Sequence, residues 1–184
     1  MRFISVLVLA CVLSSPFVIN ADVWANALYY SGYLVRATPF DAKLNSVGFF
    51  NELSMLSPRA KSMQSAESLF LVAKSFRYVP HTPTDKWQTP QETASKGSGN
   101  CADKALWLYT QLRQSGYDHV RLVIGKYRSM DPVFHVWVTY MDISGNIYVL
   151  DPAIQRQPWK IENFPAELYK PIYSFGAGNR YRHN

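Results

Sequence analysis

The segment Gly97-Ser98-Gly99-Asn100-Cys101-Ala102-Asp103 feeds a glycine-rich turn into the start of a helix, and its cysteine decides how the rest of the chain is read. That helix is predicted over 101–115, with Ala105, Leu108 and Leu112 as its buried stripe and Gly116 as its stop. A thiol at a helix start faces unsatisfied N–H donors and the positive end of the macrodipole, which favours the thiolate that attacks carbonyl carbon. Gly97 and Gly99 are expected to leave room for a substrate chain beside the sulfur.

Downstream, strands are predicted over 120–127, 133–141 and 146–151. The second alternates strictly, with Phe134, Val136, Val138 and Tyr140 on one face and His135, Trp137 and Thr139 on the other. Ile143-Ser144-Gly145 reads as a three-residue hairpin loop with glycine in the left-handed region. That loop pairs Asp142 with Asn146 and Trp137 with Asp151, so Asp151 shares the face of His135 one diagonal step away. Diagonal neighbours lie about 7–8 Å apart, within reach of a carboxylate and an imidazole. An even-numbered loop would separate them.

Cys101, His135 and Asp151 therefore form a candidate nucleophile, base and orienting acid. The Cys101 backbone N–H is a candidate oxyanion donor, with the Trp87 indole or a nearby glutamine as a second. Each residue also has a plainer reading. Cys101 alone fits a small buried residue, His135 a hydrogen-bonded core histidine, and Asp151 before Pro152 a strand stop. Trp87 and Trp137 fit core, while His81, His119 and His183 fit surface. No paired Cys or His spacing supports a metal site, and neither metal nor cofactor is expected. The ordered occurrence of the three on helix start, strand and strand end favours chemistry.

Upstream, Ser57-Pro58 predicts a helix start, and Met63, Ala66, Leu69, Phe70, Ala73 and Phe76 continue an apolar face to about Val79. Pro80, Pro83 and Pro90 then predict a loop over 80–100. The aromatic-rich stretch 22–56 has no clear period and reads as short elements packed on the main body. Met1-Arg2 and the apolar run from Phe3 to Ile19, broken by Ser14, Ser15 and Pro16, have the layout of a signal peptide cleaved after Ala21. Lipid attachment at Cys11 is the lesser alternative. Residues 22–184 are then one domain with its core at about 60–155, periplasmic or secreted, touching membrane only through the leader.

The chain has two cysteines, so cleavage leaves Cys101 unable to form an intramolecular disulfide. The net charge of +6 is spread along the chain, which excludes a dedicated nucleic-acid stripe. Arg180-Tyr181-Arg182-His183, the densest basic cluster, reads as a solvated end.

Trp87-x-Thr89-Pro90-x-Glu92, Gly97-x-Gly99-Asn100-Cys101-x-Asp103-x-Ala105, His135-Val136-Trp137-Val138 and Leu150-Asp151-Pro152 together resemble the transglutaminase-like superfamily. Within it, the chain is most similar to the bacterial transglutaminase-like cysteine proteinases. The resemblance implies an α+β, papain-related fold in which the nucleophile helix packs on an antiparallel β-sheet. It also implies a Cys101, His135, Asp151 triad. Acids commonly flank the cysteine in the proteinase branch and can bind calcium, whereas Asn100 and Ala102 stand here. Asp103 alone is a poor calcium site, so no calcium dependence is expected.

The expected function is hydrolysis of an amide or peptide bond in a protein or peptide of the cell envelope, by a monomer acting through a thioester. Acyl transfer to an amine by the same triad is the alternative, and a non-catalytic periplasmic binding module is the alternative of another class.

Overall fold

The computed structural model describes residues 32–51, 65–82, 86–128 and 133–184. The predicted leader, the Ser57-Pro58 helix start and much of the aromatic N-terminal stretch lie outside these residues.

Two helices precede the cysteine helix and set its position. Helix α1 spans Asp41–Ser46, and α2 spans Ala66–Ser75. Helix α2 begins at Ala66 because Ser65 is its extended N-cap, accepting from Ser68 N–H at 3.1 Å. It also ends four residues before Val79. Phe76 leaves helical geometry, and β2 (Arg77–Tyr78) pairs in parallel with β3 (Ser98–Gly99) instead. The 80–100 loop is likewise corrected, since α3 (Pro90–Lys96) forms within it.

The cysteine helix, α4 (Cys101–Gln114), is buried along nearly its whole length. Its Lys104 is only 3 % exposed, and its ammonium donates to the Lys74 and Phe76 carbonyls at 3.1 and 3.0 Å. Those are orphan acceptors at the C-terminus of α2, so one side chain ties the two helices together.

Among the described residues seven strands form one sheet. Strand β1 is Tyr33–Leu34, β4 Val120–Tyr127, β5 His135–Met141 and β6 Ile147–Leu150. Strand β7 is Trp159–Lys160, β8 Tyr169–Gly176 and β9 Asn179–Arg182. Their order is β1-β9-β8-β4-β5-β6-β7, with antiparallel pairing throughout. The fold is therefore α+β, with the cysteine helix against an antiparallel sheet. Strand β9 holds Arg180 and Arg182, so the basic cluster is part of the sheet rather than a solvated end. Arg180 also pairs with Asp41 at 2.9 Å.

The alternation along β5 is what divides the core. Val136 and Val138 join Leu122, Ile124, Leu150 and Phe175 against the helices, with Phe40, Leu44 and Phe49 from the N-terminal stretch. Trp137 joins Val123, Val149, Ile161, Phe164 and Tyr169 on the other face. The core thus extends beyond 60–155, because β8 is the inner neighbour of β4.

Candidate active site

The site assembles where two capped helix starts meet the beginning of β5. Thr89 and Glu92 form a capping box on α3: Thr89 N–H donates to Glu92 Oε2 at 2.8 Å, and Glu92 N–H to Thr89 Oγ1 at 3.2 Å. Those bonds to Thr89 hold the Glu92 carboxyl below its usual range. Asn100 and Asp103 form a second box on α4. Asn100 Oδ1 accepts from Ala102 and Asp103 N–H, while Asp103 Oδ2 accepts from Asn100 N–H at 3.0 Å. Asp103 also takes the Gln88 backbone N–H and side-chain amide at 2.8 and 3.0 Å, joining the two helix starts.

These caps consume the amides at Ala102 and Asp103. The Cys101 N–H is left with no hydrogen-bond acceptor among the described residues. Gly97 and Gly99 meet needs of the turn itself. Gly97 ends α3 in the left-handed region at φ 58°, and a Cβ on Gly99 would lie 2.6 Å from Asp103 Cβ. Neither lines the cleft.

The hairpin has the expected register. Asp142 N–H donates to Asn146 O at 2.9 Å, and Val138 faces Leu150. Asp151, just beyond the strand, meets His135 diagonally, with Nε2 2.6 Å from Oδ2. Asp151 is fully buried, and His135 is 12 % exposed at its side chain. Burial works against the imidazolium. Hydrogen bonds to Asp151 and Cys101, with the charges of both, outweigh it and raise the His135 pKa to about 10. Since Nε2 serves Asp151, Nδ1 is the nitrogen left for the sulfur. The structure thus brings Cys101, His135 and Asp151 together.

Trp87 stands with Cys101 in the wall of a cavity of about 230 Å³ lined also by Phe40, Lys43, Phe134 and Val136. His81 lines it as well. Of the histidines that fit surface by sequence, His183 is instead buried, with Nε2 2.9 Å from Ser174 Oγ.

Two residues near the triad carry no motif in the sequence. Tyr169 donates its phenol to Asp151 Oδ2 at 2.9 Å. Gln155 Oε1 accepts the Asp151 N–H at 3.0 Å, and Asp151 Oδ1 takes the Ala153 and Ile154 N–H groups. The carboxylate is surrounded by donors, which keeps it oriented.

A family model for a transglutaminase-like domain matches residues 43–175. The chain belongs to the transglutaminase-like domain family. No curated protein matches the sequence. Among solved structures, this transglutaminase-like chain is similar to Legionella pneumophila LapG, with 21% identity and a TM-score of 0.55. The match covers 88% of this chain and 87% of that one. The calcium-bound LapG structure gives the same figures, and the EGTA-treated one covers 84% of its own chain. At this identity the likeness speaks for the fold.

Calcium does not fit the residues at this helix start. Asn100 and Ala102 carry no charge, and both Asp103 oxygens are already taken by N–H donors. Among the described residues, no group of three or more His, Cys, Asp or Glu is placed to hold a metal ion.

Proposed function

We propose that this transglutaminase-like chain is an exported cysteine hydrolase that cleaves an amide or peptide bond through a Cys101, His135, Asp151 triad. The observation that carries the reading is the His135–Asp151 contact of 2.6 Å beside Cys101 at a capped helix start. Asp151 fixes the imidazole so that Nδ1 addresses the sulfur. With the His135 pKa raised to about 10, the ring is an imidazolium at neutral pH, the partner a thiolate requires.

Cys101 Sγ attacks the scissile carbonyl carbon, and the carbonyl π pair moves onto oxygen. The Cys101 N–H supplies one donor to that oxyanion, and the Trp87 indole, in the same cleft wall, the second. As the oxyanion collapses, His135 gives its proton to the departing amine and a thioester remains. His135 then takes a proton from water, whose oxygen attacks the thioester carbon. The acid leaves, and the proton on His135 again balances the thiolate. The expected setting is the periplasm or outside the cell. Among the described residues, no helix is long and apolar enough to cross a membrane.

The test is incubation of an envelope protein fraction in ¹⁸O-water with wild type or Cys101→Ala. New N-termini with wild type alone, matched by ¹⁸O in the new C-termini, are expected. Incorporation of a fluorescent amine without new N-termini would make the chain an acyl transferase. Identical fractions with both proteins would contradict catalysis.

A further inference from the structure

Strand β2 belongs to a two-stranded sheet, and among the described residues no strand pairs with the side it turns away from β3. Arg77 N–H donates to Gly97 O at 2.9 Å, and Val79 N–H to Gly99 O at 3.1 Å. Successive residues of a strand direct their backbone groups to opposite sides, so the N–H and C=O of Tyr78, between those two, point outward. Neither group has a hydrogen-bond partner among the described residues. Every residue from Arg77 to Thr82 is exposed, with Tyr78 at 49 % and Val79 at 37 %. Such an edge is a template for pairing with another chain.

Its position ties this edge to the triad. Tyr78 stands opposite Gly99, two residues before Cys101, and His81, three residues on, lines the cleft that holds Cys101. Burial, together with the charges of Cys101 and Asp151, raises the pKa of the Tyr78 phenol, which puts the ring in the field of the triad. The strand is also anchored. Lys104, on the helix that carries Cys101, donates to the Phe76 carbonyl just before β2 at 3.0 Å. The protein side of any pairing is thus preformed.

We propose that β2 is a substrate-binding edge: an extended peptide pairs antiparallel with it through the Tyr78 N–H and C=O, and the paired residue belongs to the segment that follows the scissile bond. The proposal rests on the hydrolase reading above. The occupant is a peptide because the groups on offer are a backbone donor and a backbone acceptor, which another backbone matches. Antiparallel pairing lets one residue exchange both bonds and is the stronger arrangement per residue. Pro80, the next position facing outward, has no N–H, so the exchange is confined to Tyr78. The sense follows from the direction of β2. The protein chain runs from Tyr78 toward His81 and the cleft, so an antiparallel partner leaves the cleft as it proceeds to its own C-terminus. About three residues, each advancing about 3.3 Å, span the way from the cleft wall at His81 to Tyr78.

The experiment compares bromoacetamide with bromoacetyl-tetraalanine amide as alkylating agents of Cys101 in the full chain. In both, the sulfur displaces bromide from the same carbon, and only the peptide extends along the leaving-group side. The peptide advantage is the ratio of the two rate constants on one protein. Wild type is expected to show such an advantage. Tyr78→Ala keeps the N–H, and Tyr78→Pro removes it at a position where an edge strand tolerates proline. The advantage is expected to be about fivefold or more smaller in Tyr78→Pro than in Tyr78→Ala, the effect of one hydrogen bond. Should thermal unfolding show that Tyr78→Pro does not fold, N-methylation of each alanine in turn replaces it on wild type. Loss of the advantage at one position is then expected, and tolerance at every position overturns the edge. No advantage in wild type, or equal advantages in folded Tyr78→Pro and Tyr78→Ala, also overturns it. So does a dimer that Tyr78→Pro dissociates while the peptide gains nothing, because the edge then serves a second copy. The bromoacetamide rate separates this proposal from the hydrolase reading. Rapid reaction at about pH 6 without a peptide advantage overturns the edge alone, and a peptide advantage on a thiol that reacts only near about pH 8.5 overturns the hydrolase alone.

Discussion

Tyr169 and His135 converge on one oxygen, Oδ2 of Asp151, from 2.9 and 2.6 Å. Tyr169 therefore bears on the imidazole through the carboxylate that holds it. Hydrogen bonds to charged groups contribute about 1.5–3 kcal/mol. Tyr169→Phe keeps the ring that packs against His135 and Trp137 and removes this bond. It is expected to slow Cys101 alkylation at neutral pH by about tenfold, the effect of roughly 1.4 kcal/mol. An unchanged rate would assign the phenol to packing alone.

The raised His135 pKa has a consequence for stability. Burial disfavours the imidazolium, but Asp151 and Cys101 favour it more, so the folded value is about 10 against about 6.5 unfolded. Between those values the folded chain binds the proton more tightly. The stabilisation is complete below about pH 6.5 and is lost as pH rises through about 10. Urea midpoints of wild type are therefore expected to fall relative to His135→Gln across that window. A constant difference between the two proteins would show that the imidazole is not held as a cation.

Asp103 gathers three N–H donors, two from Gln88 and one from Asn100, while only 2 % exposed. Asp103→Ala leaves those donors unpaired around the start of the cysteine helix. Each unsatisfied buried donor costs about 1–3 kcal/mol. A clear drop in thermal midpoint is expected, together with slower alkylation of Cys101. Loss of stability without loss of reactivity would separate the cap from the site.

The engagement of Asp103 also bears on metal dependence. A calcium ion would have to displace those donors and find further oxygens among uncharged neighbours. EGTA and added calcium are therefore expected to leave the thermal midpoint and alkylation rate unchanged. A calcium-dependent rise in the midpoint would place a site outside this helix start.

Local rules reached as far as local chemistry did. The Ile143-Ser144-Gly145 loop set the register of β5 and β6, and through it the meeting of His135 and Asp151. Thr89-Pro90-x-Glu92 contained the capping box of α3, but the surrounding prolines outweighed it and the segment read as loop. Ser65 took the N-cap of α2, although Ser57-Pro58 carried the stronger sequence signal. Tyr169 was not legible, because its partner lies eighteen residues away and β8 reaches it by pairing with β4. The same long-range pairing buried His183 and turned the basic cluster into a strand between β1 and β8.

The central claim is that Cys101 is an activated nucleophile paired with His135. Its most direct test is the rate of iodoacetamide alkylation from pH 4 to 10 in wild type and in His135→Ala. The account predicts rapid alkylation of wild type at about pH 6, where an ordinary thiol is almost wholly protonated, and its loss in the variant. Alkylation that rises only near about pH 8.5 in both proteins would contradict it.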